Sequence, residues 1–335
     1  MENSTSQSDS SNQPQFYKRK AFIYLSIACI ALITTGIAAM FHKNYPGVKL
    51  KDLAAELINN DVPPGGNRAV LTTASGKTIV LNEAADGELG EESGLIFRKT
   101  GNGELMYEAS IEATRNLNED FHTITTPKGG TYQITLPDGS KVWLNAGSTL
   151  TFPLNLVHNK ERRIEISGEA YLEVTRGAMH PFRVSTNHQL VKVLGTHFNI
   201  NNYTDEHIAK TTLLEGSLKM RAFGKEATSS EDFILKAGQQ GIIKGGSIDV
   251  VRADTAEVLA WKNGLFICNS EPLESIMKRI SRWYDVDVLY QDIDNSKIFD
   301  VKVSRFEHVS KVLSLLEKAG GVHFKMEPGK IIVMK

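Results

Sequence analysis

Residues 21–41, AFIYLSIACIALITTGIAAMF, form an apolar run with no charged residue. As a helix at ~1.5 Å per residue this run would span ~31 Å, the thickness of a bilayer core. Lys18, Arg19 and Lys20 crowd its N-terminal side, while the other side offers only His42 and Lys43 before Lys49. The positive-inside rule then puts residues 1–20 in the cytoplasm and everything after residue 41 on the far side of the inner membrane. The run is long for a removable signal peptide, and GIAAM at its end is a poor cleavage site. The preceding tail, rich in Ser, Asn and Gln, is expected to be disordered. Beyond the run, Leu50, Leu53, Ala54, Leu57 and Ile58 recur at helical spacing and predict a short juxtamembrane helix. That helix ends at Asn59-Asn60 and the Pro63-Pro64-Gly65-Gly66 break.

From about residue 67 to 258 the period shortens to two. RRIEISGEAYLEV, with Ile164, Ile166, Ala170, Leu172 and Val174, is one such run; HPFRVST, QLVKVLGTHFNINNYT and FILKAGQQGIIKGGSIDVV are others. Alternating strands punctuated by Gly, Asn, Asp and Pro predict an all-β sandwich, barrel or β-solenoid. One unit occurs twice. Laying Gly76 on Gly139 also aligns Pro64 with Pro127, Gly66 with Gly129, Thr72 with Thr135, Leu81 with Leu144 and Asn82 with Asn145. Each copy reads as a hairpin whose turn, Ser75-Gly76 or Asp138-Gly139, supplies the positive φ a tight connection needs.

From Trp261 the texture changes again. NGLFICN reads as a strand, Ser270 as an N-cap, and Leu273, Ile276, Met277, Ile280, Trp283 and Tyr284 as a helix face. Two strands, a second helix stopped by Gly320-Gly321, and a hairpin around Pro328-Gly329 complete an order β-α-β-β-α-β-β, a small α+β domain of the split βαβ kind. The expected organisation is a cytoplasmic tail over 1–20, a single-pass membrane anchor over 21–41 and a juxtamembrane helix and linker over 42–62. An all-β domain over 63–258 and an α+β domain over 259–335 follow.

Composition narrows the function. Lys and Arg number 38 against 39 Asp and Glu, so the chain has no overall field to attract nucleic acid. The two cysteines, Cys29 and Cys268, form no CxxC, and the nine histidines show no HxH or HExxH spacing, so no metal site is expected. GxSxG, Walker and GxGxxG motifs are missing from the sequence, and no cofactor and no catalytic residue is expected. Glu169 and Glu173 share a strand face, as two glycosidase carboxylates do, but the same spacing describes a solvated face. Trp261, Arg282, Trp283 and Tyr284 are the candidate partner-binding residues: aromatic and basic side chains gathered near one helix.

TPKGGTYQITLPDGSKVWLNAGSTLTFP, RRIEISGEAYLEV, HPFRVST, VKVLGTHFNINNY, TTLLEGSLKM and LKAGQQGII follow one another in an order that resembles the FecR-type transmembrane signal transducers of Bacteroidetes. WKNGLFICNSEPLESIMKRISRWYDVDVLY resembles the domain that follows the FecR domain in that group, which is STN-like. The resemblance implies a single-pass inner-membrane anti-sigma factor. Its periplasmic C-terminal region would sense the N-terminal signalling domain of a TonB-dependent outer-membrane transporter, and its cytoplasmic end would hold or activate an ECF sigma factor. The family's cytoplasmic region is a helical domain of substantial length, where only 20 residues precede the apolar run here. An upstream segment missing from this sequence, or loss of direct sigma-factor contact, would account for the difference. A periplasmic glycan-binding or envelope-structural protein without a signalling role is the alternative reading.

Overall fold

The computed structural model describes residues 60–109, 120–177, 180–223 and 231–335. Among these no helix is long and apolar enough to cross a membrane. The predicted anchor 21–41, the tail 1–20, the stripe Leu50–Ile58 and Cys29 lie outside the described residues.

Most of the described chain is β-structure in a curled, continuous array of 19 strands. Two sheets make it up. The first runs from β3 (Thr78–Val80) through β2 (Val70–Thr72), β7 (Phe121–Thr126) and β10 (Ser148–Pro153) to the first half of β11 (Arg162–Glu173). It continues through β12 (Phe182–Ser185), β13 (Gln189–Val193) and β16 (Leu218–Ala222) to β17 (Phe233–Leu235). The second runs from β4 (Gly87–Glu92) through β5 (Leu95–Lys99), β6 (Leu105–Ala109), β8 (Gly130–Thr135) and β9 (Lys141–Leu144) to the second half of β11. β14 (His197–Asn202), β15 (Ile208–Glu215), β18 (Gln239–Lys244) and β19 (Ser247–Arg252) complete it. Period-2 patterning explains the layering: along β11, Ile164 and Ile166 are buried while Arg163, Glu165 and Ser167 are exposed. One apolar core draws on both sheets, from Leu71, Ile124 and Phe152 on the first to Ile134, Phe198 and Leu213 on the second.

β11 changes sheets at Gly168, where φ is +90°. Up to Ser167 it pairs with β10 and from Gly168 onward with β14, so a single strand stitches the two sheets together. A side chain at 168 would collide with Ser148, whose Cα lies 2.8 Å from the position a Cβ would take.

The repeated unit is visible in the turns. Thr73 N donates to Lys77 O at 2.9 Å and Gly76 N to Thr73 O at 2.9 Å; Leu136 N donates to Ser140 O at 2.8 Å and Gly139 N to Leu136 O at 2.9 Å. Gly76 and Gly139 have φ of +82° and +78°. The two hairpins join different sheets but feed the same core, with Leu81 and Leu144 both fully buried. Their leading segments touch: β1 (Gly66–Asn67) runs parallel to Gly130–Thr131. At the last aligned position the copies diverge, since Asn82 is exposed and Asn145 is buried.

After a one-turn helix, α1 (Thr255–Val258), the C-terminal module follows the order β20 (Leu265–Pro272), α2 (Leu273–Tyr284), β21 (Asp287–Gln291), β22 (Ile298–Ser304), α3 (Val309–Ala319), β23 (His323–Glu327) and β24 (Lys330–Met334). β20 pairs with β22, and β24 lies between β21, parallel to it, and β23. Ser270 does not cap α2. It sits at φ +51° in a bulge of β20, which runs on to Pro272, and the helix starts at Leu273 without a side-chain cap. Leu273, Ile276, Met277, Ile280, Trp283 and Tyr284 do share the buried face of α2, in a second core with Val312, Leu313, Leu316 and Phe324.

Candidate functional site

The four candidate residues do not lie on an outer face. Trp261, Arg282, Trp283 and Tyr284 are 8%, 9%, 3% and 3% exposed, and three of them sit where the C-terminal module meets the second sheet. Helical spacing brings Trp283 and Tyr284 onto the α2 face that packs inward. Tyr284 stacks on Phe266 at 6.3 Å and donates its hydroxyl to Glu307 O at 2.7 Å, inside the module. Arg282 reaches the other way. Its guanidinium lies 3.6 Å from the centre of the Tyr203 ring and pairs with Asp205 at 2.8 Å and Glu206 at 2.6 Å, in the loop after β14. Burial alone would lower the Arg282 pKa, but Tyr203, Glu206 and Asp205 hold it above the usual arginine value.

Arg305, just past β22, is the hub of the seam. Nη2 donates to Asn145 Oδ1 at 2.9 Å and Nη1 to the Trp261 carbonyl at 2.8 Å, while Trp283 Nε1 donates to the Arg305 carbonyl at 2.7 Å. Its guanidinium carbon lies 3.8 Å from the Trp283 ring centre. Burial pushes the Arg305 pKa down to about 10, against the pull of Glu169. Glu169 is held in turn by the amides of Asn145, at 2.7 Å, and Asn199, at 3.1 Å, and Trp261 Nε1 donates to Asn199 Oδ1 at 3.2 Å. One chain of hydrogen bonds thus joins Asn145, just past β9, with β11 and β14 of the β domain to Trp261 and the module. Glu173 shares the Glu169 face beyond Tyr171 but aligns with Lys141 and His197 across the sheet.

A further contact comes from the start of the described chain. Asp61 accepts from Ser310 N through Oδ1 at 3.0 Å and from Ser310 Oγ through Oδ2 at 2.6 Å. It therefore supplies the cap that α3 lacks, since the N-cap position, His308, makes no side-chain hydrogen bond of its own. Val309 N donates to Val62 O at 3.0 Å and Asn60 Nδ2 to Met326 O at 3.1 Å. Four residues on, Gly65 passes so close to Trp283 that a Cβ would lie 2.8 Å from its ring, and Gly66 N donates to Gly129 O at 2.9 Å. Residues 60–66 form a strap across module and β domain.

Sequence reasoning missed Asn145, Glu169 as a structural acceptor, Arg305 and Asp61. For Asn145 a signal existed: it closes the repeated unit. Arg305 and Asp61 carry none, since their partners are 160 and 249 residues away in the chain. Among the described residues no group of three His, Cys, Asp or Glu side chains is placed to hold a metal ion.

Residues 122–219 match the family described as FecR protein, and residues 265–333 match that described as FecR, C-terminal. The first covers the second copy of the repeated hairpin, the β11 crossing and β14; the second covers α2, Arg305 and α3. Two crystal structures of a candidate anti-sigma factor from Parabacteroides distasonis superpose on the chain, each with a TM-score of 0.59 and 25% sequence identity. Each covers 64% of this chain, and the aligned region takes in 99% and 98% of theirs. No curated protein matches the chain.

Proposed function

We propose that the chain, whose residues 122–219 and 265–333 match the FecR and FecR C-terminal family models, is a FecR-type single-pass regulator of the inner membrane that relays a signal from a TonB-dependent outer-membrane transporter to an ECF sigma factor. In this reading residues 21–41 are the anchor, residues 1–20 face the cytoplasm, and the β domain and C-terminal module are periplasmic. The transporter's N-terminal signalling domain engages the module. Its exposed elements include β21, where Leu289 and Tyr290 are open at a strand edge that pairs with β24 on one side only. The seam residues Trp261, Arg282, Trp283 and Tyr284 act in this scheme by setting how the module sits on the sheet. The sigma factor is the output partner by analogy with the Parabacteroides anti-sigma factor.

The observation that carries the reading is the Asp61–Ser310 cap. A sensor at the C-terminus has to act on an anchor at the opposite end of the sequence, and residues 60–62 are hydrogen-bonded to the module itself. A partner that shifts α3 or β23 therefore acts directly on residues 60–62, which precede the β domain in the chain. The coupling can be as large as the partner's differential affinity for the strapped and unstrapped states.

Capture of the exported portion from cell envelopes, followed by mass spectrometry, tests the input side, and recovery of no transporter overturns it. Transcription of the co-recovered transporter's operon tests the output: deletion of the gene changes it if the relay operates, and leaves it unchanged if the protein is a glycan-binding or structural component.

A further inference from the structure

We infer that β19, the free edge of the second sheet, pairs antiparallel with β19 of a second copy of this chain, about a twofold axis through Val250. The inference does not depend on the regulator reading.

The two sheets of the β domain end in β3, β17, β4 and β19, and the first three of these edges are blunted in ways that prevent pairing with another chain. β3 and β17 are only 3 residues long. β4 is broken by a bulge between Glu88 and Gly90 and carries Glu88, Glu91 and Glu92. β19 has none of these protections. It is 6 residues long, pairs with β18 without a register shift from Ser247 to Arg252, and leaves every residue but Ile248 exposed, with Val250 at 38% and Val251 at 42%.

Register shows which backbone groups are free. Gly245 and Gly246, at φ of +55° and +80°, make the tight turn between β18 and β19, so Lys244 and Ser247 are the hydrogen-bonded pair that closes the hairpin. Every second pair then bonds across to β18: Asp249 with Ile242, Val251 with Gln240 and, just past the strand, Ala253, whose N donates to Gly238 O at 2.9 Å. Ile248, Val250 and Arg252 therefore turn their N–H and C=O groups away from β18, and among the described residues no other strand receives them.

A second β19 uses all three. With Val250 opposite its own copy, Ile248 faces Arg252 of the other chain, and the three outward residues make about six main-chain bonds in a self-complementary interface. Charge selects this axis over its neighbours. Moving it to residue 249 sets Asp249 against Asp249; moving it to residue 251 sets Ile248 against Asp254, which is already engaged as the N-cap of α1. On the Val250 axis no charged residue directly faces a like charge: Asp249 faces Val251, and Arg252 can lay its aliphatic stem along Ile248.

Sedimentation equilibrium of the full-length chain in detergent tests the assembly, and oxidative cross-linking in isolated membranes, in a Cys29→Ser background, tests the register; Cys268 is buried. The expected result is a dimer at ~100 µM chain that dissociates on dilution to ~1 µM. Val250→Pro should weaken it ~10-fold or more with unchanged far-UV circular dichroism, because proline removes an N–H that β18 does not use. Val250→Cys should join two copies, since a hydrogen-bonded pair stands ~5.5 Å apart at Cα, within the reach of a disulfide. Ser247→Cys should not, because its two copies would lie ~20 Å apart along the strands. Four results overturn the proposal: a monomer at ~100 µM, a dimer that Val250→Pro leaves unweakened, cross-linking at Ser247→Cys as efficient as at Val250→Cys, or Val250→Cys joined to a different protein rather than to its own copy.

Discussion

Asp61 caps helix α3 through Ser310 across 249 residues of sequence, accepting both the Ser310 amide, at 3.0 Å, and its hydroxyl, at 2.6 Å. A helix whose own N-cap position is a histidine without a capping bond depends on this carboxylate. Asp61→Ala should cost ~1–2 kcal/mol, as loss of a good N-cap does. Hydrogen exchange should rise first over 309–319 and not in the β domain. In a double-mutant cycle Asp61→Ala and Ser310→Ala should be non-additive by the hydroxyl–carboxylate bond that both remove, with Asp61→Ala the costlier because it also loses the bond from the Ser310 amide. Additive losses would mean that the cap carries no coupling.

The Arg305 hub predicts that charge alone is not enough. Arg305→Lys keeps the positive charge but cannot reach both Asn145 Oδ1 and the Trp261 carbonyl with the spacing of a guanidinium. It leaves at least one buried acceptor without a donor. The expected loss is ~2 kcal/mol in urea unfolding. Tryptophan fluorescence should change as the guanidinium carbon now 3.8 Å from the Trp283 ring centre is replaced by an ammonium that cannot stack in the same way. A loss below ~0.5 kcal/mol, typical of a surface site, would show that the seam is held by packing alone.

How much of this was legible in the sequence depends on the range of the interaction. The alternation that buries Ile164, Ile166 and Leu172 on β11 is local, and so is the 3.6-residue pattern that turns Ile276, Ile280 and Trp283 inward; both could be read directly. The turn glycines Gly76 and Gly139 were readable for the same reason. Ser270 has the chemistry of a cap but sits in a bulge of β20 that local sequence does not reveal, with its amide donating to Asp300 Oδ1 at 2.8 Å. The residue types of Trp261 and Arg282 are legible, but residue type does not say whether an aromatic–cation group faces a partner or its own chain. Asp61, Asn145 and Arg305 have meaning only once strands and helices distant in sequence have met.

The β domain should be acid-sensitive through a buried relay. His122, fully buried, bonds Tyr107 at 2.8 Å and Glu92 at 2.9 Å, and Glu92 also accepts from Ser75 Oγ at 2.5 Å. Burial works to raise the Glu92 pKa, but the hydrogen bonds from Ser75 and His122 outweigh it and hold the value down to about 2. His122 is also lowered, by burial, with Glu92 opposing. Both shifts have the same sign for stability. A depressed carboxylate contributes above its unfolded pKa of 4.5 and loses that contribution as pH falls toward about 2. A histidine kept neutral by folding is protonated only in the unfolded chain as pH falls below 6.5, which again favours unfolding. Unfolding midpoints should therefore drop steadily from pH 7 to 3. Glu92→Gln should be destabilised at pH 7, with the gap from wild type closing toward about pH 2; a gap that stays constant over this range would exclude the carboxylate as its source.

The crossing of β11 between sheets makes Gly168 irreplaceable on two independent grounds. Its φ of +90° is strained for any residue with a Cβ, and the Cβ itself would be driven against Ser148, with the Ser148 Cα only 2.8 Å away. Gly168→Ala should cost ~3 kcal/mol or more, since neither the backbone angle nor the overlap can relax without breaking the pairing of β10 with β11. It should also disrupt the bond from Glu169 N to Ser148 Oγ, now 2.9 Å, and so misplace the carboxylate that Asn145 and Asn199 hold. Ser148→Gly should not rescue the variant, because the closest backbone atom remains. Gly66→Ala is the matched control: no atom lies within 4 Å of the place a Cβ on Gly66 would take, and its φ is ordinary, so the substitution should fall within ~0.5 kcal/mol of wild type. Equal, small effects at both positions in chemical denaturation would mean that β11 does not pass between the sheets at residue 168.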